Sequence, residues 1–252
     1  MFDAHAHLFL LPEEVRCPAM QRALQAGVTY IANVNTDAQS LEAARSWQLP
    51  QGLHLYQVAA TPPHSVSEED PFFYEVEKAA KAGELSAIGE IGFECFYQNT
   101  PIDRQEESFL RYYELAGRYR LPIVVHCRDG FERLYSLLAR QDLVVPGMMH
   151  CFTGTKADAK WLLDHHWYLS ISGIVTYPKS HLLREIVAYL PSNRICVETD
   201  APYLAPQKMR GKVNEPSYLV HTLEVIADIR NCSIEQMCEE TQKNAQDFFF
   251  SQ

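Results

Sequence analysis

The strongest constraint on the fold is an alternation that repeats along the chain. Short apolar runs, rich in β-branched residues, are followed by amphipathic stretches rich in Ala, Leu, Glu and Arg. Such runs are typical of strands, and such stretches are typical of helices. The predicted strands are residues 1–6, 28–33, 53–60, 86–91, 122–127, 147–151, 168–173 and 194–199. The clearest predicted helices are residues 19–25, 103–120, 156–165, 180–189, 215–230 and 233–249.

Eight strand–helix units in 252 residues have the usual size of a (β/α)8 barrel. Several runs are apolar without alternation, as expected for parallel strands that are covered on both faces. The sequence therefore predicts an α/β fold, with a single TIM-like barrel domain over residues 1–252. A doubly wound open sheet is the alternative. The barrel is favoured because polar candidate ligands follow many different strands, and a barrel gathers all its carboxyl strand ends at one mouth.

Composition and charge exclude several classes of protein. No run of about 18 apolar residues is present, so no membrane-spanning helix is expected. The N-terminus lacks a basic region followed by an apolar stretch, so no secretory signal is expected. Seven scattered cysteines without a C-x-x-C pair favour reduced thiols and a cytoplasmic location. The net charge of −10 argues against broad adhesion to nucleic acid, although bound cations can reverse the potential inside one cleft. The sequence predicts no oligomeric state, because it shows no exposed heptad and no obvious self-complementary patch.

The first predicted strand carries a candidate metal-binding pair. His5 and His7 stand two residues apart, and residues at this spacing in a strand point to the same face. Neutral imidazole is the commonest side-chain ligand for divalent transition metals. A lone His-x-His pair is weak evidence, because two nearby histidines are usually surface or capping residues. Four more candidates at the ends of other predicted strands strengthen it: Glu90, His126, His150 and Asp200.

These six side chains form a set of four histidines and two carboxylates. Such a set suits Zn²⁺, Mn²⁺, Fe or Co better than Ca²⁺ or a pure Mg²⁺ cage. Six ligands exceed the three that a catalytic zinc needs, so the sequence predicts two ions, roughly 3.5–4 Å apart, with Glu90 as the bridge. The predicted chemistry is hydrolysis by a metal-activated water, with Asp200 as the residue that takes its proton.

Two cysteines directly follow candidate ligands. Strand alternation predicts that Cys127 and Cys151 point away from the site and act as small packing residues.

At this point the chain closely resembles the TatD-type deoxyribonucleases, which are metal-dependent hydrolases of the amidohydrolase-like superfamily. The resemblance covers nearly the whole chain. Its motifs are residues 5–7 (His-Ala-His), 89–92 (Gly-Glu-Ile-Gly), 126–128 (His-Cys-Arg), 150–154 (His-Cys-Phe-Thr-Gly), 198–202 (Glu-Thr-Asp-Ala-Pro) and 210–216 (Arg-Gly-Lys-Val-Asn-Glu-Pro). The resemblance implies a TIM-like barrel and Mg²⁺-dependent DNase activity, often 3′→5′ exonucleolytic. It also implies that the six side chains named above are the metal-site residues.

The chain departs from the family pattern at two positions. The family usually has Leu-Asp after Gly-Glu-Ile-Gly, whereas this chain has Phe93 and Glu94, and glutamate reaches one methylene further. The family also tends to have His-Pro-His after the third strand, whereas here Pro62 replaces the first histidine and only His64 matches. Both changes bear on the choice of substrate rather than on the candidate metal ligands.

A phosphodiester substrate needs cations beyond the metals. Candidate substrate-binding residues are His64, Glu94, Arg128, Lys208, Arg210 and Lys212. Arginine can hold phosphate oxygens bidentately, and lysine acts as a point charge. For residues 208–212, a solvated loop without function is an equally good interpretation. Tyr177 and Tyr203 are candidates to stack on unpaired bases, although such tyrosines more often pack at a rim.

The leading hypothesis is a metal-dependent phosphodiesterase that acts on the ends of DNA, single-stranded or frayed, with two divalent ions such as Mg²⁺, Mn²⁺ or Zn²⁺. One alternative is a hydrolase of an amide, ester or lactone in a small metabolite, since related barrels host many chemistries. Another is a non-catalytic metal-binding scaffold.

Overall fold

The computed structural model describes residues 1–97, 99–141 and 144–250. Its eight parallel strands form one sheet in which neighbours in sequence are neighbours in space. The predicted (β/α)8 barrel is thus confirmed. The strands β1 to β8 are Phe2–Ala6, Tyr30–Asn35, His54–Ala59, Ala87–Glu94, Ile123–Arg128, Gly147–Met149, Tyr168–Ile171 and Ile195–Val197.

Helices alternate with these strands. In the described part of the chain, one α-helix follows each of the first seven strands and two follow the eighth. No described helix is long and apolar enough to cross a bilayer. The helices α1 to α9 are Glu13–Gln25, Ala38–Arg45, Phe72–Lys81, Ile102–Tyr119, Phe131–Leu138, Lys156–Asp164, His181–Tyr189, Leu219–Arg230 and Ile234–Phe249.

Several predicted bounds are wrong, and the backbone shows why. Helix α1 begins at Glu13 rather than at residue 19, because the helix accommodates Pro18 in its interior. Strand β4 continues to Glu94, since its pairing with β5 extends to the Glu94–Arg128 pair beyond an irregularity in register. Strand β6 ends at Met149 rather than at residue 151, and Cys151 has a left-handed φ of 44°, which ends the extended conformation.

The lumen of the barrel is filled by small and medium apolar side chains. One buried cluster draws residues from seven of the eight strands, among them Ala4, Val58, Val124, Met148 and Cys196. The lumen is the region of a barrel that so many strands share. Two positions beyond Val124, Met148 and Cys196 stand His126, His150 and Glu198. Side chains at this spacing in an extended chain point to the same side, so these three polar residues lie nearer the carboxyl end of the lumen.

Aromatic rings close the opposite, amino-terminal end of the lumen. The ring of Phe2 stacks on Phe249 of α9 with centroids 5.4 Å apart, and it lies 5.6 Å from Tyr30 and from Tyr56. Phe248 belongs to the same buried cluster. We call these five residues the aromatic plug. It anchors the last helix to the bottom of the barrel.

The ring of strands closes between β1 and the segment after β8. The backbone N–H of His7 donates to the carbonyl of Ala201 at 2.7 Å, and the N–H of Asp200 donates to the carbonyl of His5 at 2.9 Å. Three candidate ligands therefore lie on the two sides of this closing seam.

Candidate metal centre

The first half of the candidate site lies at the seam. His5 Nε2 and His7 Nε2 are 3.1 Å apart, and Asp200 Oδ1 lies 3.5 Å from His7 Nε2 and 3.8 Å from His5 Nε2. All three side chains are buried, with relative exposures between 0% and 8%. Asp200 adopts a left-handed φ of 58°, a conformation that aspartate tolerates better than most residues. The three side chains thus form one compact group that could hold a metal ion.

The second half comes from the middle strands. Glu90 lies within β4, His126 within β5, and His150 directly after β6. His150 Nε2 is 3.1 Å from Glu90 Oε2 and 3.3 Å from His126 Nδ1. These three side chains form a second group that could hold a metal ion.

One oxygen links the two groups. Glu90 Oε2 lies 3.1 Å from His150 Nε2 and 3.4 Å from His5 Nε2. The rings of His5 and His150 are stacked, with centroids 3.8 Å apart. The structure therefore brings all six candidate ligands into one cluster, with Glu90 between its halves, where the sequence analysis expects a bridging carboxylate.

The charges of the cluster are strongly coupled. Burial, together with the nearby charge of His150, lowers the pKa of His5 to about 3, so its imidazole is neutral, the form that binds metals. Burial alone would raise the pKa of Glu90, but hydrogen bonds from His150 and His5 hold it well below its usual value. Burial likewise opposes protonation of His150, but Glu198 and Glu90 raise its pKa well above the usual value.

The donor set fits divalent metal ions. Two imidazole Nε2 atoms 3.1 Å apart can share only one proton between them, whereas both lone pairs can face one cation. The Nδ1 atoms of His5 and His7 are buried and have no hydrogen-bond partner among the described residues. Mixed imidazole and carboxylate donors suit Zn²⁺, Mn²⁺ and related ions. The cluster therefore satisfies the chemical requirements of a metal centre.

Two buried carboxylates around the cluster were not picked out as site residues from the sequence. His150 Nδ1–H donates to Glu198 Oε1 at 3.1 Å, and Glu198 is fully buried. Asp3 accepts hydrogen bonds from the backbone N–H and hydroxyl of Thr199 at 2.8 and 2.6 Å, and burial raises the pKa of Asp3 to about 8. Glu198 orients the His150 ring, and Asp3 fixes the segment that leads to Asp200. A signal was available for Glu198: its position two residues before Asp200 in the quoted motif.

Glu94 is placed differently from a free substrate-binding carboxylate. Its Oε2 lies 3.1 Å from His126 Nε2, and its Oε1 accepts the backbone N–H groups of Phe96 and Tyr97 at 2.8 and 3.1 Å. Burial opposes ionisation, yet these contacts lower the pKa of Glu94 to about 2. The carboxylate therefore connects a candidate ligand to the loop that follows β4.

A glycine permits the close approach of β4 and β5 at this point. Gly92 has a φ of +138°, and a Cβ atom there would lie 1.9 Å from the carbonyl oxygen of His126. Any other residue would push His126 out of its place.

The remaining candidates lie around the mouth. His64 is exposed and lies within electrostatic range of Glu90 and His126. Arg128 and Arg210 are exposed and lie over aromatic rings: Arg128 over Phe96 at 4.2 Å, and Arg210 over Tyr177 at 4.7 Å.

The two lysines differ from each other. Lys208 forms an ion pair with Glu224 of α8, so a carboxylate of the protein itself neutralises its charge. Lys212 is exposed. Tyr203, the second candidate for stacking, is 54% exposed and approaches the ring of His7 edge-on, with centroids 6.2 Å apart.

The prediction for the two cysteines holds for one of them. Cys127 is buried in the core cluster outside the lumen. Cys151 is not in a strand, so alternation does not apply to it, and its thiol lies 3.2 Å from the Ser172 hydroxyl. Burial and the charges of Glu198 and Asp200 raise the pKa of this thiol well above its usual value. All seven cysteines are unpaired.

Comparisons with known proteins agree with this architecture. Residues 2–250 match the family described as "TatD related DNase". The chain is 30% identical over 251 residues to "Uncharacterized metal-dependent hydrolase YabD" of Bacillus subtilis, covering 99% of this chain and 98% of that one. It is 33% identical over 245 residues to "3'-5' ssDNA/RNA exonuclease TatD" of Salmonella typhimurium, covering 93% and 92% of the two chains.

A solved structure shares the fold. The crystal structure of YjjV, a TatD homolog from Escherichia coli, superposes with a TM-score of 0.89 at 26% identity, covering 99% of this chain and 98% of that one. Because the family match and these relatives span nearly the full barrel, the chain is a metal-dependent hydrolase and belongs to the TatD-related DNase family.

Proposed function

We propose that this protein is a nuclease that removes nucleotides from the ends of unpaired DNA, 3′→5′, with two divalent cations. The observation that carries the proposal is the position of Glu90 Oε2 between the imidazoles of His5 and His150. A carboxylate shared in this way supports two neighbouring cation sites, with His5, His7 and Asp200 in one and His126 and His150 in the other. The relative named as an ssDNA/RNA exonuclease supports the choice of substrate.

Bound divalent cations would lower the pKa of a water and offset the charge of a phosphodiester. The protein's own side chains do the rest. We assign Asp200, whose side chain is 12% exposed, to accept the proton of the attacking water. We assign Arg128, which is exposed after the candidate ligand His126, to hold a phosphate oxygen. Glu198 keeps the His150 ring oriented through its Nδ1–H.

The test uses a single-stranded oligonucleotide labelled at its 5′ end, incubated with the purified protein and Mg²⁺, Mn²⁺ or Zn²⁺, with EDTA as the control. Progressive shortening from the 3′ end is expected, and it should stop with EDTA and in the Asp200→Asn variant. A protein that carries metal but leaves the oligonucleotide intact would refute the proposal. A label placed at the 3′ end tests the polarity, because it should be released first.

A further inference from the structure

The loop after β4 exposes two adjacent aromatic side chains beside the candidate metal centre. Phe96 is 54% exposed and Tyr97 is 60% exposed. Their rings meet edge to face, with centroids 5.0 Å apart and an interplanar angle of 87°. Neither ring is buried in the core. Large exposed apolar groups at the edge of a functional site are typical of a binding surface.

Arg128 completes this surface. Its guanidinium carbon lies 4.2 Å above the centre of the Phe96 ring and 5.4 Å from that of Tyr97. Among residues 1–97, 99–141 and 144–250, Arg128 forms no ion pair with a carboxylate. Lys208, by contrast, is paired with Glu224. The charge of Arg128 is therefore available to an anionic ligand. We call Phe96, Tyr97 and Arg128 the aromatic rim.

Hydrogen bonds fix the rim to the candidate metal centre. Glu94 holds the backbone N–H groups of Phe96 and Tyr97 with one oxygen and contacts His126 Nε2 with the other. Residues Glu94 and Arg128 are partners in the pairing of β4 with β5. Only the Glu94 side chain therefore separates the rim from the candidate metal ligand His126. A nucleotide held at the rim would lie next to the phosphate that reacts at the metal centre.

We propose that the aromatic rim is a nucleotide subsite, in which a base stacks on Phe96 or Tyr97 while Arg128 holds the adjoining phosphate. This inference rests on the proposed function and specifies how the substrate is recognised. Every base has a stacking face, so such a subsite tolerates any sequence. Within a duplex the base faces stack on one another, so the subsite selects unpaired nucleotides.

The test measures binding rather than turnover. Fluorescence anisotropy is recorded with 5′-fluorescein-labelled ten-nucleotide oligothymidylate, with a cleavage-resistant phosphorothioate backbone, in Mg²⁺. The double variant Phe96→Ala/Tyr97→Ala should raise the dissociation constant at least about five-fold, the lower end of base–aromatic stacking. The same variant should bind an abasic oligonucleotide of equal length as tightly as the wild type does. Tyr74→Ala is the matched control, because Tyr74 is 65% exposed but lies on α3.

Arg128→Ala separates the phosphate contact from stacking. It should weaken binding of the base-bearing and the abasic oligonucleotide equally, and it should reduce the slope of log K against log salt by about 0.7, the value for one contact to a single strand. Phe96→Leu keeps an apolar side chain of similar size and replaces the double variant if that variant does not fold.

Three results would overturn the subsite. These are wild-type protein that fails to bind the oligothymidylate, a double variant that binds it normally, and a double variant that loses equal affinity for the base-bearing and the abasic oligonucleotide. The proposed function can fail separately. Stacking-dependent binding without metal-dependent shortening would refute the nuclease but leave the subsite intact.

Discussion

Glu198 offers the sharpest test of how the candidate metal centre is organised. Glu198 is not one of the six candidate ligands, although it lies close enough to His5 and His150 to form a further group that could hold a metal ion. We assign it a role through His150, whose Nδ1–H it accepts at 3.1 Å. Glu198→Gln keeps an acceptor oxygen but removes the charge, whereas Glu198→Ala removes both. We expect both variants to bind divalent metal more weakly, with Ala the weaker of the two.

The magnitude follows from the geometry. Carboxylate partners of metal-binding histidines are worth roughly ten- to hundred-fold in metal affinity, or about 1.4–2.7 kcal/mol. Because Glu198 is fully buried, the alanine variant also leaves the His150 N–H without an acceptor, at a cost of about 1–3 kcal/mol. We therefore expect about a ten-fold loss for Gln and about a hundred-fold loss for Ala.

Isothermal titration of the metal-stripped protein with Mn²⁺ or Zn²⁺ measures the affinity directly. The matched control is Glu215→Gln, because Glu215 is also buried but pairs with Arg22 rather than with the cluster. That variant should lose stability and keep its metal affinity. A folded Glu198→Ala protein with wild-type metal affinity would refute the assigned role of Glu198.

Three further predictions follow from the described contacts. Glu90→Ala should abolish metal-dependent hydrolysis, because it removes the carboxylate between the two halves of the cluster; near-normal turnover would show that Glu90 is dispensable. Phe249→Ala should destabilise the fold by about 3–5 kcal/mol in urea unfolding, because Phe249 is 2% exposed in the aromatic plug, whereas the more exposed Phe250 should tolerate alanine better. Arg120→Gly should raise the free energy of unfolding, measured in urea, by up to about 1 kcal/mol, because Arg120 ends α4 with a left-handed φ of 57° that glycine adopts without strain. Arg120→Ala should give no such gain.

The barrel and the candidate ligands were readable from the sequence for one physical reason. Side chains alternate along a strand, and parallel strands in a barrel end at one mouth. His126 and His150 follow apolar lumen residues at a spacing of two, so their convergence could be inferred without coordinates. Glu198 obeys the same rule, but Asp200 in the same motif is the carboxylate that the sequence pattern marks as a ligand.

Other features depend on contacts that the sequence does not display. The ion pair of Lys208 with Glu224 joins a loop to α8, and no local pattern announces it. The early end of β6 depends on the left-handed backbone at Cys151, a residue type with no preference for that conformation. The anchoring of the loop after β4 depends on which way the Glu94 carboxylate turns.

The closing seam has a consequence for how activity reports on the folded state. His5 and His7 lie on one side of the seam and Asp200 lies on the other, and backbone hydrogen bonds join the two segments. The half-site at the seam thus exists only while the ring of strands is shut. A local opening between the first and last strands would dismantle it long before the remaining strands separate, so loss of metal during gentle heating should precede loss of helical signal. Metal retention is therefore an early gauge of the barrel's integrity.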